Sequence, residues 1–403
     1  SGLVHDAWRL DIVYEEVRFD AATRTRSARN RYLRRIKARY RQALTRLAAG
    51  KRRGLDATER RVLALWGEDV DNATLRAAAG RLRFQLGQAD KFRAGLARSG
   101  RWLAFIREQI AALDLPEELA VLPHVESSFH PGALSKVGAT GMWQFTRSTG
   151  RRFMRIDHVV DERLDPFLST VAALRLLEYN HATLERWPLA LTAYNHGVAG
   201  MRRAVRQTGT RDIATIARRY RSRTFGFASR NFYPAFLAAL EVERNAATFF
   251  PGVRREQPED YVEVVLPAFI PAARVAAALG TDVATLRRHN PALLEPVWAG
   301  DKHIPAGFTL RLPRDAGGAD AAARLAAIDP ASRFAAQVPD REHVVSRGDT
   351  LSAIAAYYDT SVNELVALNS LRSRHMLRIG QVIILPAGAG AAAAAGVTVA
   401  STR

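Results

Sequence analysis

The sequence predicts a mainly α-helical protein that ends in small modules of strand, helix, helix and strand. Three observations predict this. Apolar residues recur at helical spacings through the first two thirds of the chain. The segment 274–290 (RVAAALGTDVATLRRHN) aligns without gaps to 353–369 (AIAAYYDTSVNELVALN). Each copy lies between β-rich stretches, and the later stretch ends in Leu-Pro.

The bulk composition sets limits. A chain of 403 residues is long for one core and predicts two to four structural units. Apolar residues, at 48%, suffice for a large core. No run of about 18 of them occurs, so no membrane-spanning helix is expected. The sequence opens Ser1-Gly2-Leu3, with no charged stretch leading into an apolar one, so either there is no export signal or it has been removed. The formal charge of +19, from 59 Lys and Arg against 40 Asp and Glu, favours polyanions, whether nucleic acid or a bacterial envelope with its peptide carboxylates. With no cysteine, disulfides, thiolate metal sites, a cysteine nucleophile and an acylated N-terminal cysteine are excluded, so membrane anchoring is unsupported.

Residues 1–113 form the first region and read as helices. Leu3, Trp8, Ile12 and Val13 fall at helical spacings, as do Leu33, Ile36, Tyr40, Leu44 and Leu47. Arg34, Arg35, Lys37, Arg39 and Arg41 lie between the latter, as a solvated face or a polyanion-binding one. The apolar pattern returns from Phe92 to Leu113. Residues 114–250 read as a compact helical domain with one irregular insertion. Pro116, Glu117 and Glu118 suit the start of a helix running towards Glu126, which Pro123 must kink or end. Gly132 to Gly141 reads as a loop or short hairpin. Pro166 and Pro188 open further helices.

The repeated units follow at 258–313 and 342–386. Identities include Thr281/Thr360, Leu286/Leu365 and Asn290/Asn369. Residues 314–341, rich in Ala, Asp and Gly, are expected to be a partly helical linker, and 387–403 a disordered tail.

The segment 119–145 carries the chemistry. Glu126 closes an apolar run and precedes Ser127, Ser128 and the glycine-rich loop. Apolar walls disfavour the charged form of a carboxyl and raise its pKa. An acid still protonated near neutral pH can donate to a glycosidic oxygen. A surface glutamate at a helix end is the plain alternative. Gly141-Met142-Trp143-Gln144 and Ala193-Tyr194-Asn195 add glycines, amides and aromatic faces, the groups that sugar recognition uses. Trp143 suits a core better than a sugar platform. Asp157, Asp161 and Asp165 are weighed as a second carboxylate, with Asp165 better placed as a helix cap before Pro166. His124 and His130 flank Glu126 without metal-ligand spacing, so neither a metal nor any other cofactor is expected.

Glu126-Ser127, then Gly141-Met142-Trp143-Gln144, then Ala193-Tyr194-Asn195 resemble the ordered motifs of family 1 lytic transglycosylases, over about residues 80–245. The membrane-bound type D group, which carries C-terminal LysM modules, looks nearest. His343 to Pro386, with Arg347-Gly348-Asp349-Thr350-Leu351, is similar to the LysM family. The resemblance implies a lysozyme-like catalytic domain at 114–250, a degenerate LysM-like module at 258–313 and a LysM module at 342–386. It implies that Glu126 alone serves as acid and base, cutting between N-acetylmuramic acid and N-acetylglucosamine and leaving 1,6-anhydro ends. Tyr194 and Asn195 would position the substrate's acetamide, and Ser127, Met142 and Gln144 would line the sugar site. The family's late Glu-Thr-Arg-x-Tyr motif appears as Ala228-Ser229-Arg230-Asn231-Phe232, so Tyr233 stands in for the expected tyrosine. In the LysM module, Asp349, Thr350, Leu351, Asn369 and Leu371 would line a glycan groove. The first copy has Phe269-Ile270-Pro271 near that turn and reads as a spacer.

The implied partners are peptidoglycan strands and other cell-wall enzymes, with no nucleic acid, in the periplasm or cell envelope. A water-using hydrolase, a non-catalytic wall-binding scaffold and a nucleic-acid binder are the competing readings.

Overall fold

The computed structural model describes residues 1–258, 260–314, 320–371, 373 and 377–386. The expected tail at 387–403 lies outside the described residues. The chain divides into two compact units, one of Ser1–Ala94 with Leu177–Val242, the other of Gly95–Leu176 with the remainder. The division does not follow the boundary read at residue 113, and one of its points falls inside the helix Pro166–Leu184.

The first unit opens with strands, not helices. Gly2–Asp6 pairs antiparallel with Val13–Val17 on one side and Leu82–Leu86 on the other. Val4, Tyr14 and Val17 are buried, and Tyr14 is the extra residue where the register shifts opposite Val4 and His5. Leu3 and Trp8, which fitted a helical spacing, are 41% and 40% exposed. The helical reading failed because a few apolar residues on a short hairpin also satisfy a period near four. The long helix Arg26–Ala48 has Thr25 as its cap and buries Ile36, Tyr40, Leu44 and Leu47, while its arginines face outward. The Tyr40 hydroxyl donates to the Tyr14 carbonyl (2.8 Å), fixing helix to sheet. Trp187–His196, Val198–Thr208 and Ile213–Arg219 pack around Leu189, Met201, Ile216 and Phe225.

The second unit holds the segment around Glu126 and both repeats. Tyr261–Val265 pairs antiparallel with Thr309–Pro313 and encloses helices Ala272–Leu279 and Val283–His289. Glu342–Val344 pairs likewise with Val382–Ile384 around Leu351–Tyr357 and Val362–Leu368. The repeated asparagine explains itself. Asn290 donates to the carbonyls of Leu286 and Arg311 (both 2.8 Å) and accepts from Arg311 N–H (2.8 Å). Asn369 does the same with Leu365 (2.9 Å), Ile384 C=O (2.8 Å) and Ile384 N–H (2.7 Å). One amide thus ties helix end to closing strand in each copy. Asn290 is buried and Asn369 half-buried. Asn290→Ala is therefore expected to cost about 3 kcal/mol and Asn369→Ala about 1 kcal/mol, because unmet buried groups cost more than those water can reach. Hydrogen exchange across 283–289 and 362–368 measures both.

The stretch read as a linker does not behave as one in its described part. Helix Ala321–Ala326 puts Ala321 and Leu325, and the residues after it Ile328, into the core of the first module. Phe334 exchanges two backbone hydrogen bonds with Phe269 (3.1 and 2.9 Å). Its alanines are apolar enough to pack, which a compositional reading of Ala and Gly overlooks.

Candidate active site

The backbone delivers Glu126 through two consecutive short helices. Glu117–Val121 is a 3-10 turn, and Leu122–Glu126 is an α-helix with Pro123 in its first turn. Pro123 therefore starts the second helix instead of kinking one long helix, in the position where its missing N–H costs nothing. Beyond Glu126 the chain reverses through Ser128 (φ 53°) and Phe129 (φ 56°), successive non-glycine residues in the left-handed region. Each costs on the order of 1 kcal/mol, so something must hold them.

Three contacts do. Phe129 is fully buried, edge-on to the His124 ring with centroids 4.7 Å apart. Ser127 Oγ donates to Met142 O (2.7 Å) and accepts from His130 N–H (3.1 Å). Arg98 Nη2 donates to Ser128 O (2.6 Å) and Nε to Phe129 O (3.2 Å). Gly95, one turn before Arg98, lets its helix approach, since a Cβ there would lie 3.0 Å from His124 Nδ1 and 3.1 Å from Ser128 Cβ. Nothing local in the sequence marks Gly95 or Arg98, which look like two more positions of an amphipathic helix. Arg98→Met should cost about 2 kcal/mol of stability and slow any Glu126-dependent reaction on the order of tenfold to a hundredfold through misplacement. A fall in kcat at unchanged KM would identify Arg98 as a positioning residue.

Glu126 itself is half-buried. Desolvation pushes its carboxyl up to about 8. No side-chain hydrogen bond or ion pair occupies that carboxyl among the described residues, so its proton is available to an incoming group. Burial also pushes the His124 imidazole below its usual range, although His124 Nε2 lies 3.0 Å from Glu243 Oε2.

The glycine-rich loop is held from inside. Gly141 N–H donates to Ala133 O (2.8 Å), and Gln144, itself at φ 52°, donates its amide to Gly141 O (2.9 Å) and Ala133 O (3.2 Å). Met142 and Trp143 are fully buried, and Trp143 Nε1 donates to Thr170 Oγ1 (2.9 Å), so Trp143 is a core residue. What Met142 offers is its carbonyl, already met by Ser127. Arg163, unremarked in the sequence, grips Asp161 through Nε (2.9 Å) and Nη2 (2.6 Å) and donates to Gly138 O and Phe145 O (both 3.2 Å). Asp157 accepts from the Val159 and Val160 amides (both 2.7 Å), and Asp165 from those of Phe167 (2.8 Å) and Leu168 (3.0 Å), as a helix cap. Each of the three aspartates is thus engaged in holding backbone or Arg163.

In the other unit, Tyr194 and Asn195 end the helix Trp187–His196, which Gly197 (φ 84°) terminates. Asn195 Oδ1 accepts from Ser229 Oγ (2.8 Å). Phe232 is buried at 5% exposure, while Tyr233 is half-buried and stacked with Phe236 at 6.4 Å. Of the residues read as a LysM groove, Asp349 Oδ2 accepts from Ser346 N–H (2.7 Å) and lies 3.0 Å from His343 Nε2. Thr350 caps the helix by accepting from Ala353 N–H (3.1 Å), Leu351 is 2% exposed, and Asn369 is the staple described above. These side chains build the turns, because a module this small needs side-chain caps to hold them.

Residues 104–217 match the family described as the Transglycosylase SLT domain, and residues 343–386 match the LysM domain. The chain is 28% identical over 305 residues to membrane-bound lytic murein transglycosylase D of Escherichia coli strain K12, covering 73% of this chain and 65% of that protein. It therefore spans a little under two thirds of that relative's length. It is 36% identical over 111 residues to a putative tributyltin chloride resistance protein of Alteromonas sp. strain M-1, covering 27% of this chain and 54% of that one. Among solved structures it is similar to the 70 kDa soluble lytic transglycosylase of Escherichia coli, at 20% identity and a TM-score of 0.28, over 57% of this chain and 37% of that one.

Proposed function

We propose that this chain, which carries a transglycosylase SLT domain followed by a LysM domain, is a lytic transglycosylase of peptidoglycan that works with Glu126 as its single acid and base. The observation that carries this reading is a half-buried carboxyl, unpaired among the described residues, whose pKa is raised to about 8 by burial. Such a group is still protonated at neutral pH and can protonate the oxygen between N-acetylmuramic acid and N-acetylglucosamine as the C1–O bond breaks. The resulting carboxylate then takes the proton of the muramic C6 hydroxyl as O6 bonds to C1, and Glu126 ends the cycle as it began. No water enters, and the product is a 1,6-anhydro end.

Ordinary glycosidases need two carboxylates. The engagement of Asp157, Asp161 and Asp165 in local structure supports a scheme with one, in which the substrate's acetamide shields the anomeric carbon. Tyr194 and Asn195 are assigned to that acetamide, and Ser127, Gln144, Tyr233 and the backbone near Met142 to the sugar site. The LysM module at 343–386 is assigned to holding the glycan, and the place of action to the cell envelope. Other cell-wall enzymes are candidate partners. Chromatography of digested sacculi tests the reading. Soluble fragments with anhydro ends support it, and sacculi left intact reject it.

A further inference from the structure

We propose that Arg221 and Arg230, stacked on the exposed indole of Trp8, form a subsite for a carboxylate of the peptide stem on the glycan strand. The inference rests on the reading of the strand as substrate. Trp8 lies in the turn after strand Gly2–Asp6, its N–H donating to Asp6 Oδ1 (2.7 Å), and its side chain is 40% exposed. The Arg221 guanidinium carbon is 4.0 Å from the ring centroid, that of Arg230 4.8 Å and that of Arg81 5.6 Å. Arg81 has its counter-charge, with Nε donating to Asp6 Oδ2 (2.9 Å).

The other two do not. Arg221 donates to the Tyr220 carbonyl (3.0 Å), the Arg230 Nε is buried without a hydrogen-bond partner, and neither pairs with a carboxylate among the described residues. Two uncompensated guanidiniums on one ring repel each other. Burial first, and Arg221 second, pull the Arg230 pKa below its usual value. An anion between them would relieve both costs, and the planar fork of arginine fits a carboxylate.

The position selects the source of that anion. Arg230 directly follows Ser229, whose hydroxyl donates to Asn195 (2.8 Å). Both belong to the short helix Phe227–Arg230, which is clamped by Arg83 over Phe227 at 3.6 Å. An acetamide held by Asn195 therefore brings the stem of the same strand within reach of Arg230. The Trp8 face suits the aliphatic parts of that stem.

The test is a binding titration in the Glu126→Gln background, where nothing is cut, using glycan strands that carry stems and strands freed of them by an amidase. Arg221→Gln/Arg230→Gln is expected to weaken binding about tenfold on stem-bearing strands only, less so at high salt. The single change Arg221→Gln, at an exposed residue, should give a smaller loss on the same strands. The melting temperature should hold or rise, since repulsion is relieved. Equal weakening on both strands, or none on the stem-bearing ones, overturns the subsite. A loss confined to phosphatidylglycerol vesicles also overturns it and assigns the cluster to a phosphate surface. Failure of the wild-type protein to solubilise sacculi would instead defeat the functional reading itself.

Discussion

Glu126→Gln is expected to lower cleavage of peptidoglycan by about a thousandfold or more, at the upper end of what general acid–base catalysis contributes. The size follows from the proposed scheme, in which one group serves both halves of the reaction. Glutamine keeps the shape and neutrality of the protonated acid, so the helix Leu122–Glu126 and the turn at Ser128 should stay in place. The same burial fixes the pH dependence. With the carboxyl raised to about 8, the working protonated form is present below that pH and is lost as pH rises through it. The value of kcat/KM should fall roughly tenfold per pH unit above about 8. Stability follows with the same sign. The folded state holds this proton more tightly than the unfolded chain, so stability declines from the ordinary carboxylate range up to about 8. The glutamine variant should escape that decline and be the more stable protein at alkaline pH. A wild-type rate still climbing at alkaline pH would count against the assignment.

Gly141→Ala should have the largest effect of any glycine-to-alanine change among the described residues. Gly141 has φ 84°, and a Cβ there would lie 1.8 Å from the Arg163 carbonyl oxygen and 2.8 Å from its carbon. That backbone is held on both sides, because Arg163 N–H donates to Asp161 Oδ1 (3.2 Å) and Leu164 N–H, in the same peptide as the Arg163 carbonyl, donates to Asp161 O (3.1 Å). The positive φ adds about 1–2 kcal/mol to an overlap costing about 1–3 kcal/mol. A loss of roughly 3 kcal/mol in denaturant unfolding is expected. Cleavage should fall too, because the next residue, Met142, supplies the carbonyl that fixes Ser127. Wild-type stability in this variant would show that the loop is slack.

The helices and both C-terminal modules were legible because their signals are periodic or repeated. Asn290 and Asn369 were visible as an identity before their shared hydrogen bonds gave the reason. The short hairpin at Gly2–Asp6 and Val13–Val17 was not legible, since exposed Leu3 and Trp8 imitated a helix. In the site, Glu126, Ser127, Met142 and Gln144 stand within one segment and could be found together. Arg98, Gly95 and Arg163 act on it from elsewhere, through carbonyls and close approach, and no residue type announces such a role. In the module at 343–386, a short motif does not reveal that Asp349, Thr350 and Asn369 would spend their polar atoms on their own turns.

Digesting sacculi in heavy-oxygen water and weighing the new muramic ends tests the one-carboxyl scheme most directly. Attack by the substrate's own hydroxyl predicts ends lighter by one water and free of label. Labelled reducing ends would mean that water is the nucleophile and would contradict it.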